Sequence, residues 1–133
     1  MKKTDFPKVF FVTGTDTDVG KTVVSSVLCH GLDAHYWKPV QSGLPADADF
    51  ILSTGVEQQR VIPERHRFSQ PFSPHLAARL DSQNIQLADF VLPDSSKMDH
   101  LIVEGAGGLL VPLNALRSAL GLNKTNDSGR LSP

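Results

Sequence analysis

The chain has 133 residues, 40% of them hydrophobic and 20% charged, with a formal net charge of −1. That length suits one domain with a real core, and the even charge balance removes any overall pull toward nucleic acid or an anionic membrane. A single cysteine, Cys29, excludes an intramolecular disulfide framework or a cysteine metal cluster, and no apolar stretch has the length of a membrane span.

The start, "MKKTDFPKVFF", opens with two lysines but has a short apolar run and no small-residue cleavage site, so it does not read as a signal peptide. A reducing cytoplasm is the expected compartment. "KVFFVTG" (Lys8 to Gly14) is apolar, β-branched and aromatic without alternation, which predicts a strand covered on both faces. From Lys21 the spacing predicts a helix, with Val23, Val24, Val27, Leu28 and Leu32 forming two apolar rows and Gly31 as its stop. Cys29 within it reads as a packed thiol. "HYWKPV" (His35 to Val40) predicts a short strand halted by Pro39. Asp47 or Asp49 would cap a short helix running through Thr54, with Gly55 ending it. "FSQPFSPH" (Phe68 to His75) holds two prolines and predicts an ordered loop with room for an edge strand. A helix follows from His75 to about Leu80, with Pro74 in its first turn. "IQLADFVL" fits helix or strand. "HLIVEGAGG" (His100 to Gly108) predicts a second buried strand running into a glycine-rich turn, and "LLVPL" follows it. Trp37 and the seven phenylalanines read as core. Residues 114–133 hold one weak helical stretch, then a polar run, and no further strand. A parallel sheet needs more strands than these. The chain therefore reads as the first part of a larger domain, with an N-terminal portion over 1–113 and an atypical, poorly ordered tail over 114–133.

Strand, glycine loop, helix and strand open a parallel α/β sheet flanked by helices. Ligands bind such sheets at the carboxyl ends of the strands. Gly14, Lys38 and Glu104 fall at predicted strand ends and are expected to meet at one edge. "TGTDTDVGKT" (Thr13 to Thr22) has the parts of a phosphate cradle: a glycine loop, a helix start, a lysine and a hydroxyl. The usual pattern is G-x-x-x-x-G-K-[ST]. Here Gly20, Lys21 and Thr22 stand in order, but Gly14 comes one place early. The plainer alternative is a tight turn with an exposed lysine. Asp16 and Asp18 so close to phosphate must point outward, toward Mg2+, or toward a cationic part of a second substrate. Glu104 after an apolar run is costly without a partner; it is either a Mg2+ ligand or a strand end reaching water. Asp49 is a helix cap or a metal ligand. Lys38, on a strand expected to neighbour the loop strand, either neutralises a transferring phosphoryl group or is solvated. Ser42 and Gly43 lie where a substrate would be contacted. His75 reads as a capping or packing residue.

Four blocks, "FVTGTDTDVGKT", "YWKPVQSG", "FSQPFSPHLAARL" and "LIVEGAGGLLVPL", run from about residue 10 to 113. Together and in this order they resemble the dethiobiotin synthetase family, in which the lengthened glycine loop is itself characteristic. The resemblance implies a P-loop NTPase-like parallel sheet, here cut short. It implies an ATP- and Mg2+-dependent ligase that closes a ureido ring on 7,8-diaminononanoate with CO2, through a carbamate and a carbamic–phosphoric anhydride. By the matching motifs, Asp18, Val19, Gly20, Lys21, Thr22 and Val23 would line the phosphates, with Lys21 on the outer ones. Thr22, Asp49 and Glu104 would hold Mg2+. Glu104, Gly105, Ala106 and Gly107 would border the nucleotide. Lys38 would be the active-site lysine, and Ser42 would contact the diamine. The resemblance further implies a homodimer that acts on small molecules, without nucleic acid or membrane. After "VPL" the tail departs from the family, so the chain reads as a partial product. The competing readings are a partitioning-type P-loop switch ATPase and an inactive truncated remnant.

Overall fold

The computed structural model describes residues 2–113; the expected tail at 114–133 lies outside the described residues. The elements in chain order are β1 (Val9–Val12), α1 (Lys21–Leu32), β2 (His35–Trp37), β3 (Val40–Ser42), α2 (Asp47–Ser53), β4 (Val61–Ile62), β5 (His66–Phe68), α3 (Pro74–Leu80) and β6 (Leu101–Glu104). Four strands form one sheet in the order β1-β6-β2-β4, and β3 pairs with β5 in a second. Every pairing is parallel. This is the expected α/β architecture, a parallel sheet flanked by helices. Among the described residues no helix is long and apolar enough to cross a membrane.

One core cluster lies between the four-stranded sheet and the helices α1 and α2: Cys29, Leu32, Tyr36, Ile51 and Ile102 are buried there, with Phe10 and Val12 packed against them. Trp37, Leu101 and Val103 form a smaller cluster with Ile62 and Met98. Val40, Phe68, Ala77, Ala78 and Ile85 join the second sheet to α3. Cys29 is the packed thiol expected, and burial pushes its pKa up to about 11.

Several expectations change. β1 is not covered on both faces. Val9 and Phe11 are exposed while Phe10 and Val12 turn inward, because the core beneath α1 and α2 packs on the inner face and no core cluster among the described residues reaches Val9 or Phe11 on the outer one. The valines of α1 do not face the core: Val23 is 55% exposed and Val27 66%. The buried face is instead Lys21, Ser25, Ser26, Cys29 and Leu32. Small side chains let the helix axis approach the sheet closely, and the rotation of the helix is tied at its first turn, where Thr22 bonds to Glu104 on β6. The Ser26 hydroxyl also donates to Thr54 Oγ1 of the α2 end at 2.9 Å. Gly31 does not stop α1. The helix runs to Leu32 and closes on Asp33 in the left-handed region, φ 51°.

Neither Asp47 nor Asp49 caps α2 with its side chain; Ala46 holds the cap position. The helix does end at Ser53, before Gly55 at φ 96°. α3 starts at Pro74 as expected. "IQLADFVL" forms no strand and no α-helix, only a single 3-10 turn of helix at Leu87–Asp89. Asp89 is held there by Arg65 at 3.3 Å and His66 at 3.0 Å. Trp37 is buried and its indole N–H donates to the Pro63 carbonyl at 3.1 Å. Phe11, Phe50 and Phe72, by contrast, are exposed.

Candidate functional site

β1 and β6 end level with each other, Val12 opposite Glu104. Their loops leave from the same edge, and the Gly105 N–H donates to the Val12 carbonyl at 2.9 Å. The loop after β1 turns into α1 through Gly20 at φ 98°, a left-handed conformation that a glycine adopts without strain. Its α1 end therefore faces an open cavity of about 710 Å3. An α-helix leaves its first N–H groups without intrahelical partners and carries a positive dipole end there.

The cavity wall includes Asp18, Gly20, Lys21, Thr22, Val23, Lys38, Ser42, Glu104, Ala106 and Gly107. Ten of the expected residues thus converge, from four separate parts of the chain. Val19, Asp49 and Gly105 are not on that wall: Val19 and Asp49 are exposed, and Gly105 faces an apolar cleft on the other side. In place of Asp49, α2 turns Asp47 to the cavity. Successive helical residues are about 100° apart around the axis, so positions 47 and 49 face nearly opposite ways and only one can reach the cluster.

At the centre is Glu104, 0% exposed. Thr22 donates its hydroxyl to Oε1 at 2.8 Å. Tyr36 donates its hydroxyl to Oε2 at 3.0 Å. The Lys38 ammonium stands 3.6 Å from Oε1 and also pairs with Asp47. One ammonium therefore sits between two carboxylates, leaving one formal negative charge in a largely buried cluster. Burial, reinforced by the neighbouring Glu104 charge, pushes the Tyr36 phenol far above its usual range, so it stays protonated as a donor. Lys38 directly follows β2, which β6 separates from β1; the expected direct neighbourhood of its strand with the loop strand is not found. Lys38 still reaches the site because the cluster is built on β6.

Lys21 is buried, and its ammonium donates to the Asp16 carbonyl at 2.6 Å, across the loop's own mouth. The Asp16 carboxylate accepts from the Thr17 N–H at 2.7 Å, so it is folded back onto the loop. Asp18 lies in the left-handed region at φ 55°. Ser42 Oγ is buried and has no hydrogen-bond partner among the described residues. Gln41, which the sequence did not single out, accepts from the Asp47 N–H at 3.2 Å and donates to the Ser42 and Gly43 carbonyls. It fixes the β3–α2 loop that brings Asp47 in. His75 packs beside Ser73 at 3.2 Å, at the start of α3.

The groups here able to ligate a cation on the cavity side are oxygens: the Thr22 hydroxyl and the Glu104 and Asp47 carboxylates. This is a hard-cation set, suited to Mg2+ rather than to a thiolate or imidazole metal. Among the described residues no three His, Cys, Asp or Glu side chains gather into a metal site. A cation here would therefore draw its remaining ligands from Thr22, water or a phosphate.

The sequence profile of the AAA domain family matches residues 8–125. The ATP-dependent dethiobiotin synthetases BioD of Brucella ovis, Brucella melitensis and Brucella abortus are each 53% identical to the chain over 106 residues, 77% of this chain and 49% of theirs. The resemblance expected from the four motif blocks is thus borne out. The chain spans about half the length of the curated relatives it matches.

Proposed function

The chain belongs to the AAA domain family, and on that premise we propose that it carries the ATP- and Mg2+-binding part of a dethiobiotin-forming ligase. The reaction would close a ureido ring on 7,8-diaminononanoate with CO2, through a carbamate and a carbamic–phosphoric anhydride. The observation that carries this reading is the buried Glu104 carboxylate, gripped by Thr22 and faced by Lys38 beside the N-terminus of α1. A partner-rich buried carboxylate at a phosphate loop serves nucleotide chemistry; a plain strand-to-helix turn has no use for it.

In this reading the N–H groups at the start of α1 bind phosphate oxygens, and Lys21 leaves the Asp16 carbonyl to reach the outer phosphates. Thr22, Glu104 and Asp47 would hold Mg2+, with Asp47 taking the part expected of Asp49. When bound, the cation supplies charge neutralisation on the phosphates. Lys38 would then neutralise the carbamate and the transferring phosphoryl group. The unpaired Ser42 hydroxyl would accept or donate to the diamine. Catalysis is by positioning and charge, with no nucleophilic side chain required. Homodimeric assembly and a cytoplasmic setting belong to the same reading.

Calorimetry on the full chain with ATP and Mg2+ tests it. The chain is expected to bind, and Lys21→Ala to weaken binding at least about tenfold, as loss of one charge-assisted contact implies. Wild-type affinity in that variant overturns the cradle. Phosphate release is expected only with both diamine and CO2 present; turnover without the diamine would move the assignment to a switch ATPase.

A further inference from the structure

Tyr36 was not among the residues expected at the site, yet it touches its most buried group. It stands on β2 opposite Ile102 of β6, and Glu104 lies two residues further along on the same face. The phenol therefore reaches diagonally across two paired strands, a span open to aromatic side chains. Its ring is fully buried in the cluster of Cys29, Leu32, Ile51 and Ile102. Such a ring has no free volume in which to swing, so the hydroxyl is held at one place.

A carboxylate has two equivalent oxygens that exchange by rotation about its last bond. Here each oxygen has a different task. Oε2 accepts from Tyr36, while Oε1 accepts from Thr22 and faces Lys38. We infer that Tyr36 is a positioning residue that pins Oε2 of Glu104 and so keeps Oε1 turned to the cation and phosphate side of the site. The inference rests on the Mg-ATP reading for what Oε1 faces. It adds the residue that sets its direction. Metal-binding carboxylates depend on such outer hydrogen bonds, and their loss commonly lowers metal affinity 10- to 100-fold.

Tyr36→Phe removes the hydroxyl and keeps the ring. ATP binding by the full chain is measured by calorimetry over a series of Mg2+ concentrations, for wild type, Tyr36→Phe and Val56→Ala, a core substitution in the same cluster. The half-saturating Mg2+ concentration is expected to rise about tenfold or more in Tyr36→Phe. ATP affinity at saturating Mg2+ should return to the wild-type value. Val56→Ala should leave the Mg2+ requirement in place, since lost stability alone does not move it. An unchanged Mg2+ requirement in Tyr36→Phe, with wild type binding normally, overturns the inference and leaves the functional reading standing. If wild type binds no ATP at any Mg2+ concentration, the functional reading falls and takes this role of Tyr36 with it. Should Tyr36→Phe fail to fold, the double variant Tyr36→Phe/Glu104→Gln decides. Cooperative melting restored by neutralising the carboxylate whose Oε2 has lost its donor supports the inference, and continued failure to melt cooperatively overturns it.

Discussion

β1 and β6 are neighbours in register, both apolar, and each ends in a loop of the candidate site. β6 is buried at all four positions. β1 alternates, with Phe11 61% exposed. Residue type does not separate them, but what packs on their faces does: Val103 of β6 sits in a cluster with Trp37 and Met98, and Phe11 of β1 sits in none among the described residues. β6 lies between β1 and β2, whereas β1 is paired to β6 alone among the described residues. The difference carries into the site. β6 supplies the fixed element, Glu104, with both carboxylate oxygens occupied. β1 supplies the open arm, in which residues 15–19 are exposed. The fixed pole sets charge and direction; the arm is the part that the proposed function would use around a phosphate.

The strongest way to break this contrast is to truncate one side chain on each strand. Ile102→Ala removes a fully buried side chain from the middle of the sheet and should cost about 2–5 kcal/mol. Phe11→Ala removes a larger but mostly exposed ring and should cost below about 1 kcal/mol. Urea unfolding of both variants checks this, and equal losses would show that β1 is as well covered as β6.

A second comparison sharpens the roles of the two loops. A Cβ on Gly108 would stand 2.8 Å from the Thr15 carbonyl oxygen, which belongs to backbone and cannot turn aside. The Leu109 N–H also donates to the Gly14 carbonyl at 3.0 Å, so the loops are seated on each other here. Gly108→Ala should force them apart, at about 1–3 kcal/mol, and weaken the proposed Mg-ATP binding. A Cβ on Gly14 would meet a methyl of Val19, 2.6 Å away but on a half-exposed side chain able to rotate. Gly14→Ala should therefore be the milder substitution by both melting and calorimetry. The reverse ranking would mean that the early glycine, rather than the contact at Gly108, holds the loop in shape.

Much of this was legible because the decisive signals are local. An apolar run ending in glycine, followed by Gly20, Lys21 and Thr22, specifies a strand, a turn and a helix start whatever lies around them. Glu104 stood out as a carboxylate in a buried run. What was not legible depends on rotation and neighbours. Val23, Val24 and Val27 look like a core face, but the tie from Thr22 to Glu104 and the small Ser25 and Cys29 turn the helix the other way. Asp47 and Asp49 could be separated only once the start of α2 was known. Tyr36 carried a usable signal: it stands two residues before Lys38, which places both on one side of a strand. Without β6 between β2 and β1, no spacing in the sequence pointed from that tyrosine to Glu104.

The smallest expected effect probes the other flank of β6. His35 pairs with Leu101, and its N–H donates to the His100 carbonyl at 2.9 Å. Burial first, and the Arg60 charge second, hold its imidazole below the ordinary value of 6.5. The unfolded chain then takes up a proton near 6.5 while the folded chain stays neutral at this residue. For such a group, lowering the pH through 6.5 favours unfolding, so stability falls in that direction. The carboxylates held low, Asp33, Asp81, Asp89 and Asp94, lose their contribution only as pH falls to their unfolded value of 3.8 and below. A comparison of urea midpoints at about pH 7.5 and about pH 5.5 therefore isolates histidine from these carboxylates. Wild type should lose more stability over that interval than His35→Gln. An equal or greater loss in the variant would mean that the β2 flank of β6 is as open to water as the exposed side of β1, and the contrast between a covered and an uncovered strand would not extend to both edges of β6.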